Sequence, residues 1–410
     1  MDGAAVTEPR TEGILTEVVH PRLDATSRRR GLIFLGAAVA LVGVTMAMQM
    51  GLNANFLRQD IGLTGQQVGF LESYRESCGI VALGLLAVLA GLAEPLVGAG
   101  MLVLFAGGIA GYYFVHAYAW VIVMSLVWSQ GLHVWMPLPN SMAMALAEPG
   151  REGFRLGQVR SAGSAGYAVG LGLALLLTLV SVGMRPMYLI AGGAAVLAAG
   201  VCLGIPRNIK TPGPRLVFKR KYGLYYLLCF LEGWRKQIFV AFAGFLLVDQ
   251  HGTPLWVLLI LQIIVQAAGY FAFPVVGRLI DRIGERRILI FYYASLVFFF
   301  AGYALVTRVE VLYAIYIVDN AFFIFAMSLD TLAGRMVPRS ELTPTLSMGV
   351  AMNHVAAVIM PLLGGILWAA FGHAWTFLMG AFSAVVSVAV VAKWVPAKLS
   401  RKPRPVDRDD

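Results

Sequence analysis

The sequence predicts an all-α integral membrane protein with twelve transmembrane helices. Its 410 residues are 59% hydrophobic and only 13% charged, whereas a soluble domain carries about 25% charged residues. Twelve segments are long and apolar enough to cross the hydrocarbon core of a bilayer, which takes about 20 residues of helix. Membrane strands are disfavoured because these segments are continuous runs rich in Leu, Ala and Gly, whereas a barrel strand has about 10 residues of alternating polarity.

Short polar loops separate the predicted spans. The spans are 31–55, 66–90, 95–116, 118–146, 157–181, 186–204, 222–248, 254–276, 286–306, 309–336, 344–370 and 374–396. A longer, basic and proline-containing loop divides them into six and six. The expected division is an N-terminal cytoplasmic arm at 1–30, a six-helix bundle at 31–204, a cytoplasmic linker at 205–221, a second six-helix bundle at 222–396 and a cytoplasmic tail at 397–410.

The distribution of Lys and Arg predicts the orientation in the membrane. If both termini are cytoplasmic, 25 of the 32 Lys and Arg residues fall in cytoplasmic segments, and only Arg58, Arg185 and Arg308 fall in the outer loops. This asymmetry follows the positive-inside rule and accounts for the net charge of +10, so no nucleic-acid partner is expected. We expect a monomeric, multi-pass protein of the plasma (inner) membrane, in contact with membrane lipids.

One charged segment between two apolar spans carries a recognisable pattern. Residues 277–287 read Gly-Arg-Leu-Ile-Asp-Arg-Ile-Gly-Glu-Arg-Arg, of the form G-x-L-x-D-R-x-G-x-R-R. This pattern resembles the signature loop of the major facilitator superfamily, and the helix count extends the resemblance to nearly the whole chain. The resemblance implies two pseudosymmetric six-helix halves, a substrate site between them near the membrane midplane, and transport by alternating access.

The resemblance also implies a cytoplasmic gate, in which the Asp of this segment contacts the other half when the gate is closed. In the first half, residues 91–98 keep an acid, Glu94, but lack the basic residues, so we expect an unequal gate. Asp330 is expected to pair with a nearby arginine. The candidate gate residues are Gly277, Asp281, Arg282, Gly284, Arg286, Arg287, Asp330, Arg160 and Glu94, with Arg335 as a further possible partner of Asp330.

Two predicted spans carry charged residues at mid-depth with the same spacing of i, i+3 and i+4, which places them on one helical face. They are Glu72, Arg75 and Glu76 in the second span and Glu232, Arg235 and Lys236 in the seventh. Each such charge costs about 2.5–3.5 kcal/mol on insertion scales, so we expect these side chains to face the protein interior in pairs. A purely structural ion pair and a role in substrate binding or proton coupling both remain open.

Further polar side chains lie near the predicted midplane. They are Gln130 and His133 in the fourth span, Asp319 in the tenth and His354 in the eleventh. Pro137 and Pro139 should kink the fourth span, because each removes a backbone hydrogen bond. Glu232 can neutralise only one of the adjacent cations Arg235 and Lys236, so the other requires Glu72, Glu76, Asp319 or a substrate anion.

These features favour a proton-coupled secondary transporter of a small anionic or zwitterionic organic solute, with Glu76 as the first candidate proton carrier. A translocase for lipids, amphiphiles or drugs on the same fold, and a non-transporting membrane sensor, are the alternatives. No G-x-x-x-x-G-K-[S/T] loop occurs, so ATP-driven transport within this chain is not expected. No H-x-x-x-H spacing occurs either, and we expect no enzymatic activity, metal or cofactor.

Overall fold

The computed structural model describes residues 23–148, 151–210 and 218–396, with the backbone alone at a few positions of two helices. All regular secondary structure in this part of the chain is helical. The α-helices are α1 Ala25–Asn55, α2 Gly65–Val88, α3 Glu94–Gly111, α4 Tyr118–Trp135, α5 Leu138–Leu146, α6 Glu152–Leu179, α7 Met184–Cys202, α8 Gly223–Ile238, α9 Gly244–His251, α10 Leu255–Ile283, α11 Glu285–Leu305, α12 Val309–Phe322, α13 Met327–Met336, α14 Arg339–Phe371 and α15 His373–Trp394.

The first helix begins earlier than the sequence predicts. Asp24 caps α1 by accepting a hydrogen bond from the backbone amide of Ser27 at 3.3 Å, which supplies the side-chain acceptor that a helix start favours. The basic run Arg28–Arg30 is therefore helical, and α1 begins six residues before the predicted span 31–55. The remainder of the arm (1–22), the centre of the linker (211–217) and the tail (397–410) lie outside the described residues.

Every predicted span corresponds to a helix or to helices that follow one another directly. The predicted kink in the fourth span is present: α4 ends at Trp135, and α5 starts just after Pro137. A π-helical turn, Phe239–Ala243, joins α8 to α9, and a 3₁₀ turn, Phe323–Ala326, joins α12 to α13. Both irregular turns lie next to the charged residues at the centre of the protein.

Nine of the described helical segments are long and apolar enough to cross a membrane. Gly65–Val88 and the continuous segment from α8 to α9 are not among them, because each carries three charged residues at its centre. Leu255–Gly269 is a shorter apolar stretch. The protein is thus a multi-pass membrane protein, and the count of twelve spans stays a prediction.

Two hydrophobic cores hold the helices together. The first is built mainly from α1–α7 and the second from α8–α15, which supports the predicted division into two bundles. In the first core, α6 lies directly against α1, and a Cβ added at Gly166 would lie 1.9 Å from the backbone oxygen of Ala40. Such contact between backbones is typical of small residues in membrane helices.

The two bundles meet at the end of the protein where α1 finishes. The side-chain amide of Asn55 donates a hydrogen bond of 2.9 Å to the backbone oxygen of Thr253, and Arg58 pairs with Asp249 at 2.5 Å. Gly65 packs against the indole of Trp368. These contacts close the interface between the bundles at the end opposite to Ala25.

Candidate functional site

The first group of buried charges lies on α2. The guanidinium of Arg75 donates hydrogen bonds to Glu72 Oε1 at 2.9 Å and to Glu76 Oε1 at 3.1 Å. Its face also lies 5.4 Å from the ring centre of Trp128 on α4. One cation thus holds two carboxylates in the protein interior, and the predicted shared face of α2 is present.

Two histidines extend this group toward the second bundle. His133 on α4 lies with Nδ1 2.9 Å from the backbone oxygen of Ser129, within reach of a hydrogen bond. Ser129 in turn donates to the backbone oxygen of Arg75 at 2.9 Å. His354 on α14 faces His133 with ring centroids 5.3 Å apart, and its Nδ1 lies 3.4 Å from Glu76 Oε2. The described structure therefore brings residues of both bundles together at this point.

The second group of buried charges lies on α8. Arg235 is fully buried and donates to Glu232 Oε1 from Nε at 3.1 Å and from a terminal nitrogen at 2.9 Å. Tyr292 on α11 donates to the same carboxylate oxygen at 2.9 Å and also contacts Arg235. Phe323 covers the guanidinium, with 3.8 Å between the guanidinium carbon and the ring centre. The pair that the sequence predicts on α8 is thus extended by two aromatic side chains.

Asp319 is the most completely buried acid of the centre, with 0% of its surface exposed. Its nearest cation is Arg235, at 3.9 Å between the charged atoms. Neither of its oxygens accepts a hydrogen bond of normal length from a described residue, although the hydroxyl of Tyr303 is adjacent. An ionised carboxylate in such surroundings has little compensation for its lost hydration.

Lys236 differs from the two arginines in its partner. Its ammonium donates to the side-chain oxygen of Asn353 on α14 at 3.0 Å, and Asn353 also donates to the backbone oxygen of Cys229 at 3.4 Å. An amide accepts a hydrogen bond but carries no negative charge. Lys236 is partly buried, and none of the ion pairs among the described residues involves its ammonium. Gln130, also predicted for this region, has a buried amide nitrogen with no hydrogen bond among the described residues.

Glu76, His133 and His354 form a set of groups that could ligate a metal. One ligand atom from each lies within 4.8 Å of the others, and two imidazoles with a carboxylate are suitable for zinc or another transition metal. However, Glu76 already forms an ion pair with Arg75, and the positive charge of Lys236 also attracts this carboxylate. Both cations oppose the entry of a further positive ion.

Two of the predicted gate arginines, Arg335 and Arg286, have partners other than Asp330. Arg335 pairs with Glu285 at 2.7 Å, and Arg286 donates to the backbone oxygen of Ala392 at 2.6 Å. Asp330 is exposed, and the positive charge that acts on it is that of Arg160 in the first bundle. The expected pair of Asp330 with Arg282, Arg286 or Arg335 does not occur among the described ion pairs. Glu285 and the C-terminal end of α15 instead bind Arg335 and Arg286.

The signature segment is more helical than the sequence suggests. Although Pro274 and Gly277 lie within it, α10 continues through Ile283 and includes the backbone of Gly277 and Asp281. Gly284 forms the turn into α11 with φ of +92°, a conformation that favours glycine. Arg282 and Arg287 are exposed, and the side chain of Asp281 lies outside the described residues.

Glu94, the acid of the corresponding segment in the first half, is buried rather than exposed at a gate. It accepts a hydrogen bond from Ser141 on α5 at 2.8 Å, and its backbone amide donates to Ile209 at 3.0 Å. Ser141 belongs to the same bundle as Glu94, and Ile209 lies at the start of the predicted linker. This geometry supports the expectation that the two segments are unequal.

Sequence reasoning missed several partners of the central charges. Tyr292, Phe323 and Asn353 contact charged side chains there, and Ser129 donates to the backbone oxygen of Arg75. None of the four carries a charge that would mark it in an apolar span. Asn353 is recognisable in the sequence as an amide near the midplane beside His354, but its hydrogen bond with Lys236 is not. The aromatic residues could not be distinguished from ordinary packing residues.

Charged side chains buried at the centre of a multi-pass helical protein, where two bundles meet, are typical of membrane transporters. The chain is a member of the Major Facilitator Superfamily, whose family model matches residues 33–331. It is therefore a transporter and not an enzyme. No curated protein matches the chain in sequence.

Solved structures of the same superfamily have the same fold. The nucleoside transporter NupG is 15% identical with a TM-score of 0.69, over 88% of this chain and 97% of that one. The D-xylose-proton symporter is 13% identical with a TM-score of 0.70, over 90% and 99%. A bacterial homologue of the human lysosomal transporter Spinster, inward-facing and occupied, is 12% identical with a TM-score of 0.70, over 90% and 97%. At these identities the similarity establishes the fold alone.

Proposed function

We propose that the protein is a secondary active transporter that moves a small organic anion or zwitterion by proton-coupled alternating access. The observation that carries this proposal is the position of Lys236, a cation at the centre whose hydrogen-bond partner is the neutral Asn353. The charge of a solute carboxylate or phosphate would compensate it. The candidate solute site lies between α2, α4, α8 and α14.

The three central cations differ in how well they are neutralised. Arg75 contacts two carboxylates, and Arg235 contacts Glu232 with Asp319 nearby. A solute anion could bind either arginine only by displacing a carboxylate, and removing one partner from a buried ion pair is strongly unfavourable. Lys236 instead has a compact ammonium with three donors. It can bind a solute anion without disrupting an existing ion pair.

Buried carboxylates supply candidate proton carriers, since desolvation favours the neutral form of an acid. Glu76 remains our first candidate because it touches His354 of the other bundle. Asp319 is the second, because it is fully buried and its nearest cation, Arg235, lies 3.9 Å away. Glu232 is the third, since its ion pair with Arg235 is shorter and therefore harder to neutralise.

Alternating access fits the contacts between the bundles. The described contacts at Asn55 and Arg58 close one end, and we assign that end to the outside on the basis of the positive-inside distribution. The protein would then be inward-facing, with both termini in the cytoplasm of a plasma-membrane monomer. The signature segment would close the opposite end after the solute has bound.

The similar structures bear differently on the two parts of this proposal. The symporter's name couples D-xylose to protons, which supports proton coupling on this fold. Nucleosides and xylose are uncharged solutes, however, so the anionic or zwitterionic class depends on Lys236 alone. An amphiphile translocase is an outcome that the same experiment can detect.

A ligand screen tests the proposal directly. Purified protein and its Lys236→Gln variant would be melted with organic anions, zwitterions, sugars and cationic amphiphiles, and positive ligands would be tested for uptake into proteoliposomes with and without a pH gradient. We expect stabilisation by an anion or zwitterion that the variant loses, with Lys393→Gln, an exposed lysine, as the matched control. Selective stabilisation by sugars or amphiphiles, unchanged in Lys236→Gln, would refute the anionic class.

A further inference from the structure

A cleft of about 650 Å³ lies between the first turns of α1 and the start of α6, far from the central charges. Its volume is within the range of small-molecule sites, about 300–1,000 Å³. The residues that define its character are Arg28, Arg29, Leu32, Ile33, Glu148 and Arg155. The transport proposal makes no use of this cleft.

The mouth of the cleft carries an excess of positive charge. Among the described lining residues, three arginines face a single acid, Glu148, which accepts hydrogen bonds of 3.0 and 2.7 Å from Arg155. These hydrogen bonds lower the pKa of Glu148 to about 2, so it stays ionised and cancels one arginine. Arg28 is directed by hydrogen bonds to the backbone oxygens of Ala147 and Leu23. Those partners are uncharged, so two positive charges remain.

The wall of the cleft changes from polar to apolar along α1. Arg28 and Arg29 lie in the first turn, whereas Leu32, Ile33 and Gly36 follow one and two turns further into the predicted span. Ile33 is 62% exposed and lies near the start of the predicted span 31–55. A ligand that satisfies both regions has an anionic head and an apolar tail.

We propose that this cleft binds the headgroup of an anionic phospholipid, with its phosphate between Arg28, Arg29 and Arg155 and its acyl chain along Leu32 and Ile33. Basic pockets between membrane helices on the cytoplasmic side suit anionic headgroups. A soluble phosphate ester shares the headgroup chemistry but has no tail for the apolar wall. The proposal depends on the membrane fold and is independent of the transported solute.

The test compares lipids and soluble phosphates with the full-length protein. Native mass spectrometry and thermal melting would be recorded with phosphatidylglycerol, phosphatidylcholine and glycerol 3-phosphate. We expect phosphatidylglycerol to bind and to raise Tm, and the other two to have little effect. Equal binding of both lipids, or equal stabilisation by glycerol 3-phosphate, would contradict the lipid assignment.

Variants in one turn of α1 distinguish this cleft from general surface charge. Arg29→Gln removes an exposed cleft arginine and should weaken phosphatidylglycerol binding about fivefold, the effect of one basic residue near an anionic surface. Arg30→Gln removes the neighbouring charge, which contacts Phe34 outside the cleft, and should have little effect. If both variants weaken binding to the same extent, the cleft is not the site. Both positions are exposed, so folding should be preserved.

Discussion

The carboxylate of Glu76 lies 3.4 Å from Nδ1 of His354, and this contact joins α2 of the first bundle to α14 of the second. The opposite carboxylate oxygen is held by Arg75 at 3.1 Å. Any change in the charge of Glu76 therefore changes both an ion pair within one bundle and a contact between the bundles. Protonation of Glu76 would therefore be coupled to the relative position of the two bundles.

We expect Glu76→Gln to abolish accumulation of solute driven by a pH gradient, reducing it at least about tenfold, while solute exchange without a gradient persists. The amide keeps the shape of the side chain but cannot release a proton. Uptake and counterflow in proteoliposomes, on a solute identified by the ligand screen, measure the two activities separately. Glu310→Gln, at an exposed acid, is the control. Gradient-driven accumulation by Glu76→Gln at the normal level would exclude Glu76 as the proton carrier.

The acids around Arg235 should respond differently to neutralisation. Glu232→Gln breaks a buried ion pair and leaves Arg235 without its close partner, which costs about 3–5 kcal/mol for such pairs. Asp319→Asn removes a charge 3.9 Å away that lacks hydrogen bonds of normal length, so we expect a clearly smaller effect on stability. Thermal melting of both variants in the same detergent makes the comparison. Equal losses of Tm would show that Asp319 is as important to Arg235 as Glu232 is.

The structure explains which parts of the site could be read from the sequence. Residues three and four apart share a helical face, so the pairs of Arg75 with Glu72 and of Arg235 with Glu232 follow from spacing alone. The contacts of Glu76 with His354 and of Lys236 with Asn353 depend on how separate helices are rotated and how far each is shifted along its axis. No local pattern contains that information.

More of the fold than of the site could be predicted from the sequence, because apolar runs and prolines determine where helices form and break within their own segment. The break beside Pro137 and the order of the helices follow from such signals. The early start of α1 was missed because three arginines look like a soluble arm, although arginine is a good helix former and Asp24 supplies the cap. The continuation of α10 through Asp281 is also not evident from the sequence, because the charged residues from Arg278 onward mark the end of the membrane span but do not end the helix.

A cluster outside the predicted spans gives a pH-dependent prediction. Glu341 accepts hydrogen bonds from Lys219 at 2.8 Å, Lys221 at 2.9 Å and Tyr222 at 2.5 Å. The hydrogen bond from Lys219, followed by those from Tyr222 and Lys221, lowers the pKa of Glu341 from about 4.5 to about 2. Because the pKa is lower in the folded protein, ionised Glu341 stabilises the fold above about pH 4.5, and this stabilisation is lost as the pH falls toward 2.

We therefore expect Glu341→Gln to lower Tm slightly at pH 7, and the difference from the parent protein to shrink between about pH 4.5 and pH 2. Melting curves at several pH values measure this difference. Glu310→Gln, at an exposed acid, serves as the matched control and should show no such trend. A difference in Tm that stays constant across this range would mean that the charge of Glu341 does not matter to the cluster.

The ion pair between Arg58 and Asp249 is the clearest electrostatic contact between the bundles at their closed end. We expect Arg58→Asp to place two acids together and to favour separation of the bundles there. Asp249→Arg should act in the same way through two cations. Because Asn55 still donates to Thr253 beside this pair, the effect should be a shift in conformational population rather than unfolding.

The charge-swapped double variant, Arg58→Asp with Asp249→Arg, restores opposite charges and should recover the parent behaviour. The measurement is the rate at which a single cysteine introduced at Gln262, which lies beside Gly51 at the bundle interface, reacts with a water-soluble thiol reagent added from outside. The three native cysteines are buried and would be replaced. We expect both single variants to react several-fold faster and the double variant to return toward the parent rate. Faster reaction in the double variant as well would show that the pair closes this end through side-chain packing and not through charge.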